Sequence, residues 1–485
     1  MALVMALGIM MVLTLTLASV IYLSAAAARD AKRTNGGQKA YALAEAGLNN
    51  VLSQVAANYP NSVSAGNSGW AASPAGGPAS YEGGTVTWGG QFEGAGCASN
   101  TWCLTGTGSV ANPTGPGAPR ISRTVKARIT VSAAPPPYVP YGLFSGDPTA
   151  ACTILQGGIS VNVPVYIASC LTMGGNADSP PAPTTKAKIW EPNTPATVTV
   201  QVGSVLTLNG GTTVGTATKD VKLISAASCV PSPCTTRSNG FYGPIASPPL
   251  SPIPSASVNA STVYSSANWS GATCASGANP FDNNATRNSS MGTVGPETWA
   301  TFDCSITDAQ GTVHRLTYNS VTRTMTIQGS IFIDGNFTSS PNKGFSYTGN
   351  GTIYFNGTVN HSGVICGPGS TWTTPGACGK TWDPTTGELL LVSCNAGATP
   401  SANSFMVQSQ AVLEAGAWAV GTSSMTTPAF QSTGNAYLGG SVFTEKGYAS
   451  ISGGGLLHAF VSLPAGAPTT FIYTLASHTT NYSGG

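Results

Sequence analysis

The sequence predicts a mainly β protein with one long N-terminal α-helix. The helix is followed by a small antiparallel sheet and then by a large β-rich head, a β-solenoid by preference and a β-sandwich as the alternative. Three observations carry this. No charged residue occurs before Arg29. Apolar residues then recur at helical spacing to about residue 55. Beyond that, Val, Ile, Thr and Tyr alternate in short bursts broken by turn residues, and 60 Gly and 34 Pro depress helix propensity throughout.

Residues 1–28 read as an apolar membrane or filament-core helix, with Ala2, Leu3, Val4, Leu7, Met11, Leu13, Leu17 and Ile21 as its apolar positions. At 1.5 Å per residue this run is about 42 Å long, enough to cross a hydrocarbon core of about 30 Å. Nothing basic precedes it, unlike a secretory signal; the expectation is a leader already removed, or a biological start upstream of Met1. The cluster Arg29, Lys32 and Arg33 would by itself hold the remainder in the cytoplasm. The cysteines argue for export, and export is the reading adopted. Residues 29–60 continue the helix through the stripe Ala40, Leu43, Ala44, Gly47, Leu48, Val51, Leu52 and Val55. Gly36-Gly37 predicts a kink or flexible point that divides the helix in two parts, and Pro60 predicts its end.

The run ALVMALGIMMVLTLTLASVIYLSAAAARDA followed by YALAEAGLNNVL resembles the N-terminus of type IV pilin-like proteins, in particular the PilX-type minor-pilin group. The signature falls on Ala44, Glu45, Ala46, Gly47 and Leu48, and the resemblance covers about sixty residues of 485. It implies removal of a short basic leader, residence of the helix in the inner membrane, and stacking of such helices into an extracellular filament with copies of the chain or with other pilins. It also implies a helix followed by a small antiparallel sheet. Many pilins carry a glutamate at the fifth mature position, where Met5 stands if Met1 is the mature N-terminus.

Residues 61–135 read as the small β domain, with bursts at 83–88, 101–110 and 122–133; in the last, Val125, Ala127, Ile129 and Val131 share a face. Residues 136–142 form a Pro-rich linker, and 143–485 the head, with a loop insertion near 232–300 that is rich in Ser, Pro and Asn. Strand-sized pieces ending in Gly, Asn or Asp favour stacked coils over a sandwich.

Eleven cysteines lie in polar, Gly-rich surroundings without Cys-x-x-Cys spacing, and only four His accompany them, which favours disulfides over zinc. Close spacing nominates Cys97 with Cys103, Cys229 with Cys234, and Cys366 with Cys378, while the odd count leaves one thiol free or bridged to another chain. With 7% charged residues and a net charge of +2, no basic stripe is present for nucleic acid. No cofactor and no metal is expected. Asp303, Asp308, Asp334 and Glu388 form no convincing carboxylate pair, and His314, His361, His458 and His478 read as surface or satisfied histidines. The segment 282–288 reads as a turn rather than a calcium loop. Trp102, Trp190, Trp269, Trp299, Trp372, Trp382 and Trp418 sit in polar contexts suited to contact with a glycan or a cell-surface ligand, or to packing inside the fold. The expected function is a structural or adhesive filament subunit that is not an enzyme, with a membrane-anchored β-helical carbohydrate-active enzyme or carbohydrate-binding surface protein as the alternative.

Overall fold

A computed structural model describes residues 2–58, 75–81, 83–92, 97–98, 101–113, 117–134, 140–175, 186–246, 271–277, 293–294, 299–307, 312–333, 335–341, 343–370, 378, 382–394, 403–421, 427–459, 464, 467 and 470–481. The chain forms two compact units, Met1–Ala134 with Phe471–Gly485, and Pro135–Thr470.

The first unit is built on α1 (Ala2–Asn58), a single uninterrupted helix. The expected division into two helices is not there. Gly36 and Gly37 lie where α1 first meets the sheet, and their missing side chains make room: a Cβ would stand 3.0 Å from Ile121 Cδ1 at Gly36 and 3.3 Å from Arg123 Nη2 at Gly37. Packing, not bending, accounts for the pair. The helix ends at Asn58, two residues before the proline that was expected to stop it.

Under α1 lie β1 (Ala75–Tyr81), β2 (Gly84–Phe92), β3 (Thr101–Val110) and β4 (Ile121–Ala134), paired antiparallel in chain order. Alternation selects the face that meets the helix. Trp102, Leu104 and Val110 of β3 and Ile121, Val125, Ala127 and Ile129 of β4 are buried with Ala40, Leu43, Ala44, Leu48, Val51 and Val55 of α1. The closest approach runs through Gly106 and Gly108, where a Cβ would stand 2.1 Å from the carbonyl oxygens of Ala44 and Ala40. A fifth strand, Thr470–Asn481, lies beside β4. Assigning everything from 143 to 485 to the head therefore needs correction. A segment 336 residues downstream of β4 completes the small sheet, a pairing no local pattern specifies.

The second unit holds a 28-stranded sheet. Its ladder is parallel through most of its length, which is compatible with the expected solenoid and unlike the antiparallel pairing of a sandwich. Strands recur with a period of three: Phe405–Val407, Val412–Leu413 and Gly416–Ala419 pair in turn with Phe430–Ser432, Tyr437–Leu438 and Val442–Thr444. Period-two alternation then stacks like on like. Ile331, Ile353, Leu391, Ala417, Val442, Leu143, Val165 and Val200 form one inward column, each in register with the next. On the opposite side of the same strands, Phe332, Tyr354, Val392, Trp418, Phe443, Phe144 and Tyr166 form a second buried column.

The first strand of the unit, Leu143–Ser145, sits mid-ladder between Val165–Ile167 and Val442–Thr444. The chain winds outward from it to Ile245–Ala246. It resumes at the far end as an antiparallel meander through Phe302–Thr307, Val313–Asn319 and Thr324–Ile333, then winds back. The insertion expected at 232–300 is shorter than its composition suggested. Phe241 is fully buried, and Ile245 pairs with Ile224, so residues to 246 still belong to the ladder.

Gly108→Ala should destabilise the first unit by about 1–3 kcal/mol, because a backbone carbonyl cannot step aside as a flexible side chain can. Gly8→Ala, with nothing within 4 Å of its new methyl, should leave the fold unchanged. Hydrogen exchange at the amides of residues 40–55 distinguishes the two outcomes.

Candidate functional site

The exposed half of α1 is the site the sequence marked. Met5, Leu7, Met11, Leu13, Leu17 and Ile21 are each more than half exposed, and they point to every side of the helix. Side chains at Ala2, Leu3 and Val4 lie outside the described residues. A helix apolar all round needs an apolar environment, which the described residues do not supply, and burying each large side chain would yield about 1.5–3 kcal/mol. The mean hydropathy of the best 18-residue window is 2.2, and none of that window is buried.

Three of its hydroxyls are paired within the helix. Thr14 Oγ1 donates to the carbonyls of Met10 and Met11 at 2.9 Å, Thr16 Oγ1 to Val12 at 3.0 Å and Leu13 at 2.9 Å, and Ser19 Oγ to Leu15 at 2.8 Å. In hydrocarbon such back-bonding satisfies the hydroxyl hydrogens of Thr14, Thr16 and Ser19.

The Ala-Glu-Ala-Gly-Leu signature divides by helix face. Ala44, Gly47 and Leu48 are buried against the sheet, Glu45 is half-buried and Ala46 is exposed. Ala44 rides over Gly106, and a Cβ on Gly47 would stand 2.8 Å from Val86 Cγ2 and 3.1 Å from the Thr87 carbonyl oxygen. In this chain the signature is a docking surface.

All three nominated cysteine pairs are disulfides, Cys97–Cys103, Cys229–Cys234 and Cys366–Cys378, joined by Cys152–Cys170 and Cys274–Cys304. The last two close longer loops and gave no local signal. Cys394 takes part in none of the five disulfides, and at 3% exposure it is closed off from another chain. Burial, with Glu445 behind it, pushes its thiol up to about 12.

Of the residues weighed for catalysis, the structure describes the surroundings of Asp303, Glu388, His314, His361 and His458. Asp303 is held by Arg315 at 2.9 and 2.5 Å, and that hydrogen bond keeps its carboxyl below the usual range. Glu388 is buried at 2% exposure, while Asp308, Asp334 and the segment 282–288 lie outside the described residues. His314 accepts the Ser330 N–H at 3.0 Å. His361 is fully buried: its Nε2 donates to the Val412 carbonyl at 2.9 Å, so its Nδ1 accepts from Ser339 Oγ at 2.6 Å. This Ser–His pair is closed to solvent, and Ser339 Oγ also accepts the backbone N–H groups of Ser362 and Gly363. His458 is half-buried and packs edge-on against Trp382, while the side chain of His478 lies outside the described residues. Of the tryptophans offered for contact, Trp102, Trp299 and Trp418 are core residues, Trp190 and Trp382 are half-buried, and Trp269 and Trp372 lie outside the described residues. Among the described residues, no group of three or more His, Cys, Asp or Glu is placed to hold a metal ion.

No protein-family model matches this chain, and no curated protein matches it. Among solved structures, the competence-associated pilin ComZ from Thermus thermophilus aligns over 92% of this chain and 98% of its own, at 12% identity and a TM-score of 0.35. A likeness that distant carries no argument about this chain.

Two outcomes are expected. Cys394 should resist alkylation in the native protein at pH 8 and react once the chain is unfolded, as intact-mass measurement would show. Burial lowers the His361 pKa from 6.5 to about 4. The unfolded chain therefore takes up the proton first as pH falls, and stability present above pH 6.5 should be lost by about 2–3 kcal/mol on approaching pH 4. Denaturation midpoints of wild type and His361→Gln across that range should show a shallower pH slope in the variant.

Proposed function

We propose that the chain is an exported, membrane-anchored, pilin-like subunit of the PilX type, which assembles into an extracellular filament through the apolar half of α1. One observation carries the reading. A single continuous helix is exposed and apolar over its first half, with Thr14, Thr16 and Ser19 bonded back to its own carbonyls, and it is docked on a small antiparallel sheet through glycine contacts over its second. The two halves thus do different work. The first needs lipid before assembly and neighbouring helices afterwards, and its small residues Ala2, Ala6, Gly8, Ala18 and Ser19 let such helices approach closely. The second holds the folded part at a fixed place along the helix.

Five disulfides suit an oxidising compartment and support the exported location. In the proposal the 28-stranded unit is a β-solenoid head that serves a structural or adhesive role, not a catalytic one. Its partners are copies of the chain or other pilins, and a surface glycan or cell ligand. An outward column offers that ligand a polar, nearly uncharged strip: Thr338, Asn360, Met406, Gln431 and Ser450 stack in register and are each half-buried, and Gln408 Nε2 donates to Asn360 Oδ1 at 2.8 Å.

A charge placed at Leu13 or Leu17 should cost about 2.5–3.5 kcal/mol in the bilayer and should abolish assembly while the head remains folded. Mass spectrometry of sheared surface filaments, alongside circular dichroism of the purified variant, separates these effects. Wild-type peptides missing from the filament fraction would sink the filament reading.

A further inference from the structure

A groove of about 510 Å³ opens beside α1 just beyond its apolar half. It is lined by Asp30, Arg33, Thr34, Gly37, Gln38 and Tyr41 of α1 and by Arg123 of β4. The helix positions are spaced by one, three and four residues and form one face. Arg123 belongs to the β4 face that carries Val125, Ala127 and Ile129 under the helix, whereas Lys126 belongs to the opposite, exposed face. Gly37 makes the groove possible: its Cβ would stand 3.3 Å from Arg123 Nη2, 3.9 Å from Nε and 4.0 Å from Cζ, so the guanidinium lies against bare helix backbone. Arg123 Nη1 donates to the Ser122 carbonyl at 3.1 Å, which holds the fork in place.

Arg33 and Arg123 outweigh Asp30 in the lining, and Arg29 and Lys32 stand on the adjoining turn. Depth along the helix completes the argument. If the last twenty or so residues of the apolar run, ending at Ala28, span the hydrocarbon, Arg33 lies about 7 Å beyond it, and the headgroup layer is roughly 5–8 Å thick on each side. Helical side chains lean toward the N-terminus, which directs Arg33 back into that layer. Two arginine forks, a threonine hydroxyl, an amide and a phenol suit a phosphodiester: the forks take its oxygens in pairs, and the neutral donors take what remains.

We propose that this groove binds the phosphate of an anionic phospholipid headgroup while α1 is in the membrane. The proposal rests on the anchor reading. The same chemistry would accept free phosphate, so the test separates the two sources. Full-length protein is reconstituted into vesicles of phosphatidylcholine alone and into vesicles of equal phosphatidylcholine and phosphatidylglycerol, and co-purifying lipid is counted by native mass spectrometry. Wild type should retain phosphatidylglycerol over phosphatidylcholine by about fivefold, the selectivity one well-placed cation provides at a membrane surface. Arg123→Gln and Arg33→Gln should remove most of that preference, Arg123→Lys should keep part of it, and Lys126→Gln, with the same loss of charge on the other sheet face, should keep all of it. A wild-type protein without preference, or an equal loss in Lys126→Gln, overturns the groove assignment. Loss of the preference in millimolar inorganic phosphate overturns the headgroup as the source. Recovery with vesicles of phosphatidylcholine alone reports on the anchor by itself: a chain left in the aqueous fraction overturns the anchor reading and the lipid source with it, whereas a vesicle-bound chain without preference overturns only the groove.

Discussion

Backbone brought against backbone is the contact on which both units depend. In the first, the carbonyl oxygens of Ala40 and Ala44 occupy the space where side chains at 108 and 106 would begin, so α1 rests on β3 with almost nothing between them. In the second, a Cβ at Gly203 would lie 1.8 Å from the Ala168 oxygen, and one at Gly440 2.0 Å from the Ala415 oxygen. Those are places where one turn of the ladder settles on the next, at the roughly 4.8 Å spacing that parallel strands impose. Any side chain there would wedge the layers apart. The high glycine content, which in a sequence reads only as loop or turn, is in large part close packing.

The price of such dry layers is that each buried polar group needs a partner nearby. Glu191, 1% exposed, accepts the backbone N–H groups of Asn193, Thr197 and Val198 at 2.8, 2.6 and 2.6 Å and so closes one corner of the ladder. Asp147 does comparable work over a longer range, accepting the Gly447 N–H at 3.0 Å and the Thr149 N–H at 2.9 Å. Burial alone would raise its pKa, but the hydrogen bonds from Gly447, Thr149 and Ala150 prevail and hold it below the usual range. With Ser145 Oγ donating to the Gly447 carbonyl at 3.2 Å, these contacts tie the start of the second unit to a turn 300 residues later.

Function divides along α1. The exposed half carries an apolar surface on which Thr14, Thr16 and Ser19 bond back to the helix's own carbonyls, and the docked half carries the pilin-like signature as a packing face. The basic groove lies where the two halves meet, on residues whose charge is awkward for a hydrocarbon layer and apt for its boundary.

The sequence by itself determined the N-terminal helix, the apolar stripe that docks it, the three short disulfides and the β character of the rest. Each of these is written in neighbouring residues, as a run without charge, a repeat of three and four, a close cysteine spacing or an alternation of two. Tertiary structure alone decided that Gly36-Gly37 is a packing contact within one continuous helix, that residues 470–481 finish a sheet begun at 75, that the ladder is begun in its middle, and that Trp102, Trp299 and Trp418 face inward. The groove belongs to the same class, since Arg123 meets Gly37 only after β4 has been laid under the helix. Local patterns fix which face of an element is apolar; which other element covers that face depends on pairings tens to hundreds of residues apart, and no local pattern carries them.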